Sequence, residues 1–138
     1  MADLERLSIS IERPLLERLE VLRKEAGYGN RSEFLRDMIR GRLVDRAWEL
    51  DEEAIGTITL VYDHHTRGLG EKLTALQHDH HEVILATTHV HLDHHHCVEV
   101  ILVRGRAAQI RAIADGLGKH KGVLHGGLSM SSTGKELA

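Results

Sequence analysis

The chain has 138 residues, which by length alone is one ordinary domain or two very small ones. Hydrophobic residues make up 41% and aromatics only 3%, so any core is aliphatic, and a domain below ~60 residues needs oligomerisation to complete it. The net charge of -3 is unevenly spread: residues 1–46 hold ten Arg/Lys against nine Asp/Glu, whereas residues 47–138 hold eight against twelve. All twelve histidines fall between His64 and His125, so the two parts carry different chemistry. The overall acidity argues mildly against nucleic acid, which would require a local basic face. The opening residues lack an export-type n-region and h-region, and no apolar run approaches ~18 residues. The one cysteine, Cys97, excludes an intrachain disulfide, so a cytoplasmic protein without a membrane span is expected.

From Arg6 the sequence alternates strictly. Leu7, Ile9 and Ile11 are apolar, and Arg6, Ser8 and Ser10 polar, which predicts a half-buried strand. Pro14 suits the first turn of a helix whose apolar face is Leu15, Leu16, Leu19 and Leu22, with Gly27 as its C-terminal stop. Asn30 with Glu33 resembles a capping box opening a second helix, faced by Leu35, Met38, Ile39 and Leu43. The polar stretch Asp45 to Glu53, Trp48 included, reads as a helix tail passing into a linker. Strands are then expected over Ile55–Tyr62, Val83–Leu92, Cys97–Val103 and Val123–Met130, and helices over 68–80 and Arg106–Lys119. The order βαββαβ is the ferredoxin-like arrangement. The expectation is an α+β chain: residues 1–48 as one domain, 49–54 as linker, and 55–138 as the second.

A single strand forms no stable sheet, and the simplest completion is a second copy of the chain. An antiparallel ribbon of two copies would put Leu7, Ile9 and Ile11 on the helices and turn Arg6, Ser8 and Ser10 outward. Such a ribbon fits the DNA major groove, and Arg and Ser are suitable readers of base edges. The second helix opens with free N–H groups around Asn30, Arg31 and Ser32, a phosphate clamp. The plainer reading is an ordinary edge strand with solvated polar residues. In the second half, His89 and His91 sit two apart on a strand and leave the same face, and a turn near His94 returns Cys97 beside His91. Two imidazoles and a thiolate suit Ni(II), Cu(II) or Zn(II). A fourth nitrogen in the plane would favour the first two, and a tetrahedral set zinc. The plainer reading is an exposed His-rich hairpin with a small buried cysteine. His78, His80 and His81 close the preceding helix, where one histidine is explained by the helix dipole. His64, His65, His120 and His125 read as surface, and His94, His95 and His96 as solvated or weak secondary metal sites. The run His89 to His94 also spells H-x-H-x-D-H, a dinuclear-zinc hydrolase motif, but that fold needs further ligands and far more chain.

The stretches Arg6-Leu7-Ser8-Ile9-Ser10, Gly27 to Glu33 with Arg36-Asp37, Gln77-His78, and His89-Val90-His91 with Cys97-Val98-Glu99 together resemble the nickel-responsive ribbon-helix-helix repressor family over nearly the whole chain. The helix-turn segment alone is shared by many ribbon-helix-helix proteins; the His-x-His … Cys spacing with the upstream Gln-His is specific. The resemblance implies a ribbon-helix-helix (βαα) DNA reader followed by a ferredoxin-like, ACT-like metal-binding and tetramerisation domain. It implies one square-planar Ni(II) per subunit on His89, His91 and Cys97, with His78 from another subunit. Glu99 would order the ligands from behind. Glu33 and Asp37 would hold a further cation between the domains. Arg6, Ser8 and Ser10 would read bases in palindromic operator half-sites, the family often having Thr where this chain has Ser. The assembly implied is a homotetramer, a dimer of dimers. The surroundings of Asp79 and of His94 to His96 depart from the commonest pattern. The alternatives are a copper or zinc regulator on the same frame, or an antitoxin-type module binding a partner protein through its tail. Such a tail is short and disordered, whereas residues 55–138 read as folded. An enzyme is least expected, since no nucleophile-base pair lies beside the metal ligands.

Overall fold

In a computed structural model, residues 3–138 are described, and the chain divides into two compact units, Met1–Leu43 with Glu136–Ala138, and Val44–Lys135. In the first unit, α1 (Arg13–Glu25) starts with Pro14 in its first turn, where the missing N–H is no loss. It ends in a Schellman cap: Gly27 N–H donates to the Lys24 carbonyl at 3.1 Å and Tyr28 N–H to Arg23 at 3.1 Å. That turn needs a left-handed residue, and Gly27 supplies it at φ 81°. Helix α2 (Arg31–Glu49) opens on Asn30, whose Oδ1 accepts the Glu33 N–H at 2.9 Å, as the capping reading requires.

The expected strand over residues 6–11 differs in the single chain, where residues 3–12 adopt no regular element. The alternation is there, but a lone strand has no ladder to join. Leu7 is 86% exposed and Ile9 57%.

The second unit is a four-stranded antiparallel sheet in the order β2-β3-β1-β4, built from β1 (Glu53–Asp63), β2 (Ile84–His91), β3 (His96–Arg106) and β4 (Val123–Ser131). With α3 (Leu69–Asp79) and α4 (Ala107–Gly118) it completes the expected βαββαβ order. Period-two burial decides the faces. On β1, Ala54, Ile58, Leu60 and Tyr62 are buried; on β3, Cys97, Ile101 and Val103. Leu69 and Leu73 of α3 and Ala107, Ile110, Ile113 and Leu117 of α4 join them in one core. Four of these α4 positions recur at the three- and four-residue spacing of a single helix face.

Trp48, expected in a tail before a linker, is instead part of this core. Its indole N–H donates to the Ser131 carbonyl at 2.9 Å, and the Arg111 guanidinium lies 5.3 Å from its ring centroid. Gly56 makes room for it: a Cβ there would stand 3.2 Å from Ile110 and Leu128 and 3.4 Å from the indole.

Candidate metal centre

The β2–β3 hairpin positions the sulfur and imidazole donors. Its register pairs His91 with Cys97 and His89 with Glu99, so all four side chains leave the helix-facing side of the sheet. The turn is pinned by Asp93, whose carboxylate accepts the backbone N–H groups of His95 and His96, each at 2.8 Å. His89 and His91 stack with ring centroids 5.0 Å apart. Cys97 is fully buried, its thiol donating to the Tyr62 carbonyl at 3.7 Å, and burial pushes the thiol's pKa up. Glu99 is 8% exposed, and burial raises its pKa too. Gln77 of α3 serves it: the amide Nε2 donates to Glu99 at 3.2 Å while Oε1 accepts the Thr87 hydroxyl at 2.9 Å. One glutamine thereby ties the end of α3 to β2 and β3.

Among the described residues, no three His, Cys, Asp or Glu side chains already converge tightly enough to hold a metal within one chain. His78 follows Gln77 on the last turn of α3 and is exposed, a helical step away from the side that meets Glu99. The donor set on the hairpin still fits a borderline divalent ion, since imidazole and thiolate both suit nickel, copper and zinc. His64, read from sequence as surface, is a residue that reading missed. Its Nε2 is buried with no hydrogen-bond partner, its ring centroid lies 4.7 Å from that of His91, and desolvation lowers its pKa. The signal was available in the strand order: β1 beside β3 brings the end of β1 against the β2–β3 turn, with Asp63 opposite His96.

Arg6, Ser8 and Ser10 are exposed. The Asn30 side chain is occupied as the α2 cap, and Arg31 forms an ion pair with Glu20 at 2.5 Å. That pair, with Arg23, holds the Glu20 carboxyl down to about 2, the Arg23 hydrogen bond being the larger cause. Asp37 accepts from the Tyr28 hydroxyl at 2.5 Å and from Arg40 at 2.8 Å, and these bonds depress its pKa. Glu33 and Asp37 share the lining of one surface pocket with Tyr28, Arg36 and Arg40.

A helix pair followed by an ACT-like βαββαβ domain with a thiol–imidazole hairpin defines a two-part α+β protein. Residues 5–46 match the family described as ribbon-helix-helix protein, copG family, and residues 55–131 match the NikR C terminal nickel binding domain. The chain belongs to the NikR family, and neither matching family is an enzyme family. It is 51% identical over 138 residues to a protein of Solibacter usitatus and 52% identical over 138 residues to one of Geobacter sulfurreducens. In both cases 99% of each chain is covered, and both relatives carry the provisional name of nickel-responsive regulator. Among solved structures, an uncharacterized protein from Thermotoga maritima shares the fold at TM-score 0.52 and 18% identity, over 57% of this chain and 98% of that one. Among the described residues, no helix is long and apolar enough to cross a membrane.

Proposed function

We propose that this chain is a cytoplasmic, nickel-dependent transcriptional repressor that binds operator DNA through a dimeric β-ribbon when Ni(II) occupies a His3Cys site. The observation that carries the reading is the hairpin register, which sets His89, His91 and the buried Cys97 on one face, beside Glu99. Bound Ni(II) would supply a positive charge at Cys97, where burial otherwise disfavours the thiolate. His89, His91 and Cys97 hold the ion from one chain, at one ion per subunit, and His78 completes the set from another subunit. Support for His78 acting in trans is its exposure on the helix step after Gln77. Support for assembly comes from the open face of the sheet, where Val90, Val100 and Leu102 remain substantially exposed, and from the apolar N-terminal segment, whose alternation suits a ribbon of two copies. In that ribbon Arg6, Ser8 and Ser10 face bases, and Asn30 and Arg31 lie by the phosphates of palindromic half-sites. The assembly is a homotetramer, a dimer of dimers. Glu33 and Asp37 are the candidate carboxylates for a further cation, which must compete with Tyr28 and Arg40 for Asp37.

The test is the absorption spectrum of the metal-free protein titrated with Ni(II), alongside operator binding at fixed salt. Expected are a thiolate-to-nickel charge-transfer band that vanishes in Cys97→Ala, and operator affinity that rises with nickel in the wild type alone. A band that persists in Cys97→Ala, or operator affinity indifferent to nickel, overturns the reading.

A further inference from the structure

The end of the sheet beyond the hairpin carries a second group of imidazoles. His65, just past β1, and His94 and His95, in the β2–β3 turn, form a near-equilateral triangle. Their ring centroids lie 5.4 Å (His65–His94), 5.3 Å (His65–His95) and 5.1 Å (His94–His95) apart, with planes inclined at 50°, 70° and 81°. A metal–nitrogen bond of ~2.0–2.1 Å puts a ligating ring's centroid ~3.2 Å from the ion, so three imidazoles at tetrahedral angles stand ~5.2 Å apart. All three side chains are exposed, but the backbones of His65 and His95 are pinned. Asp93 accepts the His95 N–H, Asp63 accepts the His65 N–H at 2.9 Å, and the His64 N–H donates to the His95 carbonyl at 3.0 Å.

One ring is already oriented by a backbone carbonyl. Nε2 of His65 lies 2.9 Å from the His94 carbonyl, which can only accept, so Nε2 is the donor and Nδ1 is the ring nitrogen turned away from that bond. A histidine whose other ring nitrogen donates to a carbonyl is the common state of a metal ligand. The ring nitrogens do not yet aim at one point, and bringing them together takes side-chain rotation at exposed positions only.

We infer that His65, His94 and His95 form a second metal site, a three-imidazole tetrahedral set with water as fourth ligand, for a borderline divalent cation of the Zn(II) class. It shares no residue with the hairpin donors His89, His91 and Cys97, and stands whether or not those bind nickel.

The test preloads the full chain with one Ni(II) per subunit and measures Zn(II) uptake by equilibrium dialysis, recording the thiolate band throughout. One further zinc per chain is expected, with the band unchanged. His65→Ala, His94→Ala and His95→Ala should each remove that zinc as completely as the triple variant does, because three ligands of one ion act as a unit. His80→Ala, on the α3 side, should leave it in place. Uptake that survives in the triple variant, or that declines by equal steps from single to triple, overturns the site, the latter meaning independent surface imidazoles. A missing nickel band in the wild type counts against the repressor reading alone, since the zinc count is read separately.

Discussion

At the scale of single residues, Gln77 does the most with one side chain. Its amide gives a donor to the buried Glu99 carboxyl and an acceptor to Thr87, so neither half of the amide is idle. Truncation strands a buried acceptor, and a buried polar group left without its partner costs about 1–3 kcal/mol. Gln77→Ala is therefore expected to lower the unfolding free energy of the metal-free protein by that amount, read as a lower urea midpoint with the slope of the transition unchanged. Thr87→Val, at an exposed position, should lose less than Gln77→Ala. Equal midpoints for wild type and Gln77→Ala would show the bridge to be energetically idle. Gln77 stands out in the sequence through its place before His78, yet its contacts depend on how α3 docks on the sheet, which no spacing rule supplies. His89, His91 and Cys97 were different. A two-residue spacing and a short turn fix both face and register, so their shared side was legible before any coordinates.

At the scale of elements, the strands and helices of the second unit match the sequence expectation to within three residues at every end, the widest gap being β3, which runs on to Arg106 and meets α4 with no turn between them. What stayed hidden was long range. Helix α4 has no side-chain cap of its own at Arg106. Asp51 supplies one from 57 residues away, accepting the Ala108 N–H at 2.7 Å and pairing with Arg106 at 2.7 Å. To do so it holds φ at 56°, a left-handed value that aspartate tolerates better than most residues. In sequence Asp51 was only one acid of a polar linker. The Ala108 hydrogen bond, aided by Arg106, depresses the Asp51 pKa. A depressed carboxylate contributes stability that is complete above its unfolded value, ~3.9 for aspartate, and is lost as pH falls through the folded value. Asp51→Asn keeps an acceptor oxygen but no charge. The gap in thermal midpoint between wild type and Asp51→Asn should accordingly be widest at pH 5 and above and shrink on acidification toward pH 3. A gap independent of pH would mean that the charge of Asp51 is irrelevant to the cap.

At the scale of the whole molecule, the features that one chain leaves open are those the sequence could describe only as half of something. The N-terminal alternation was legible, but its ladder needs another strand, so the single chain shows exposed Leu7 and Ile9 in its place. His78 poses the same problem at the proposed metal centre. The hairpin residues His89, His91 and Cys97 share one face of one chain, whereas His78 sits exposed at the end of α3. If each ion takes His78 from a second subunit, metal binding ties two chains together, and a small ligand gains leverage over the spacing of two DNA readers. A ligand shifts such an equilibrium only through its differential affinity for the two arrangements. Complementation separates this arrangement from a site within one chain. His78→Ala and Cys97→Ala should each lack tight nickel binding and the thiolate band. Mixed under conditions of subunit exchange, a His78→Ala chain offers an intact hairpin and a Cys97→Ala chain offers His78. The mixture should then regain one complete site per mixed pair, seen as recovered band intensity and recovered tight binding. If all four ligands belonged to one chain, mixing would restore neither signal, and the bridging role of His78 would have to be abandoned.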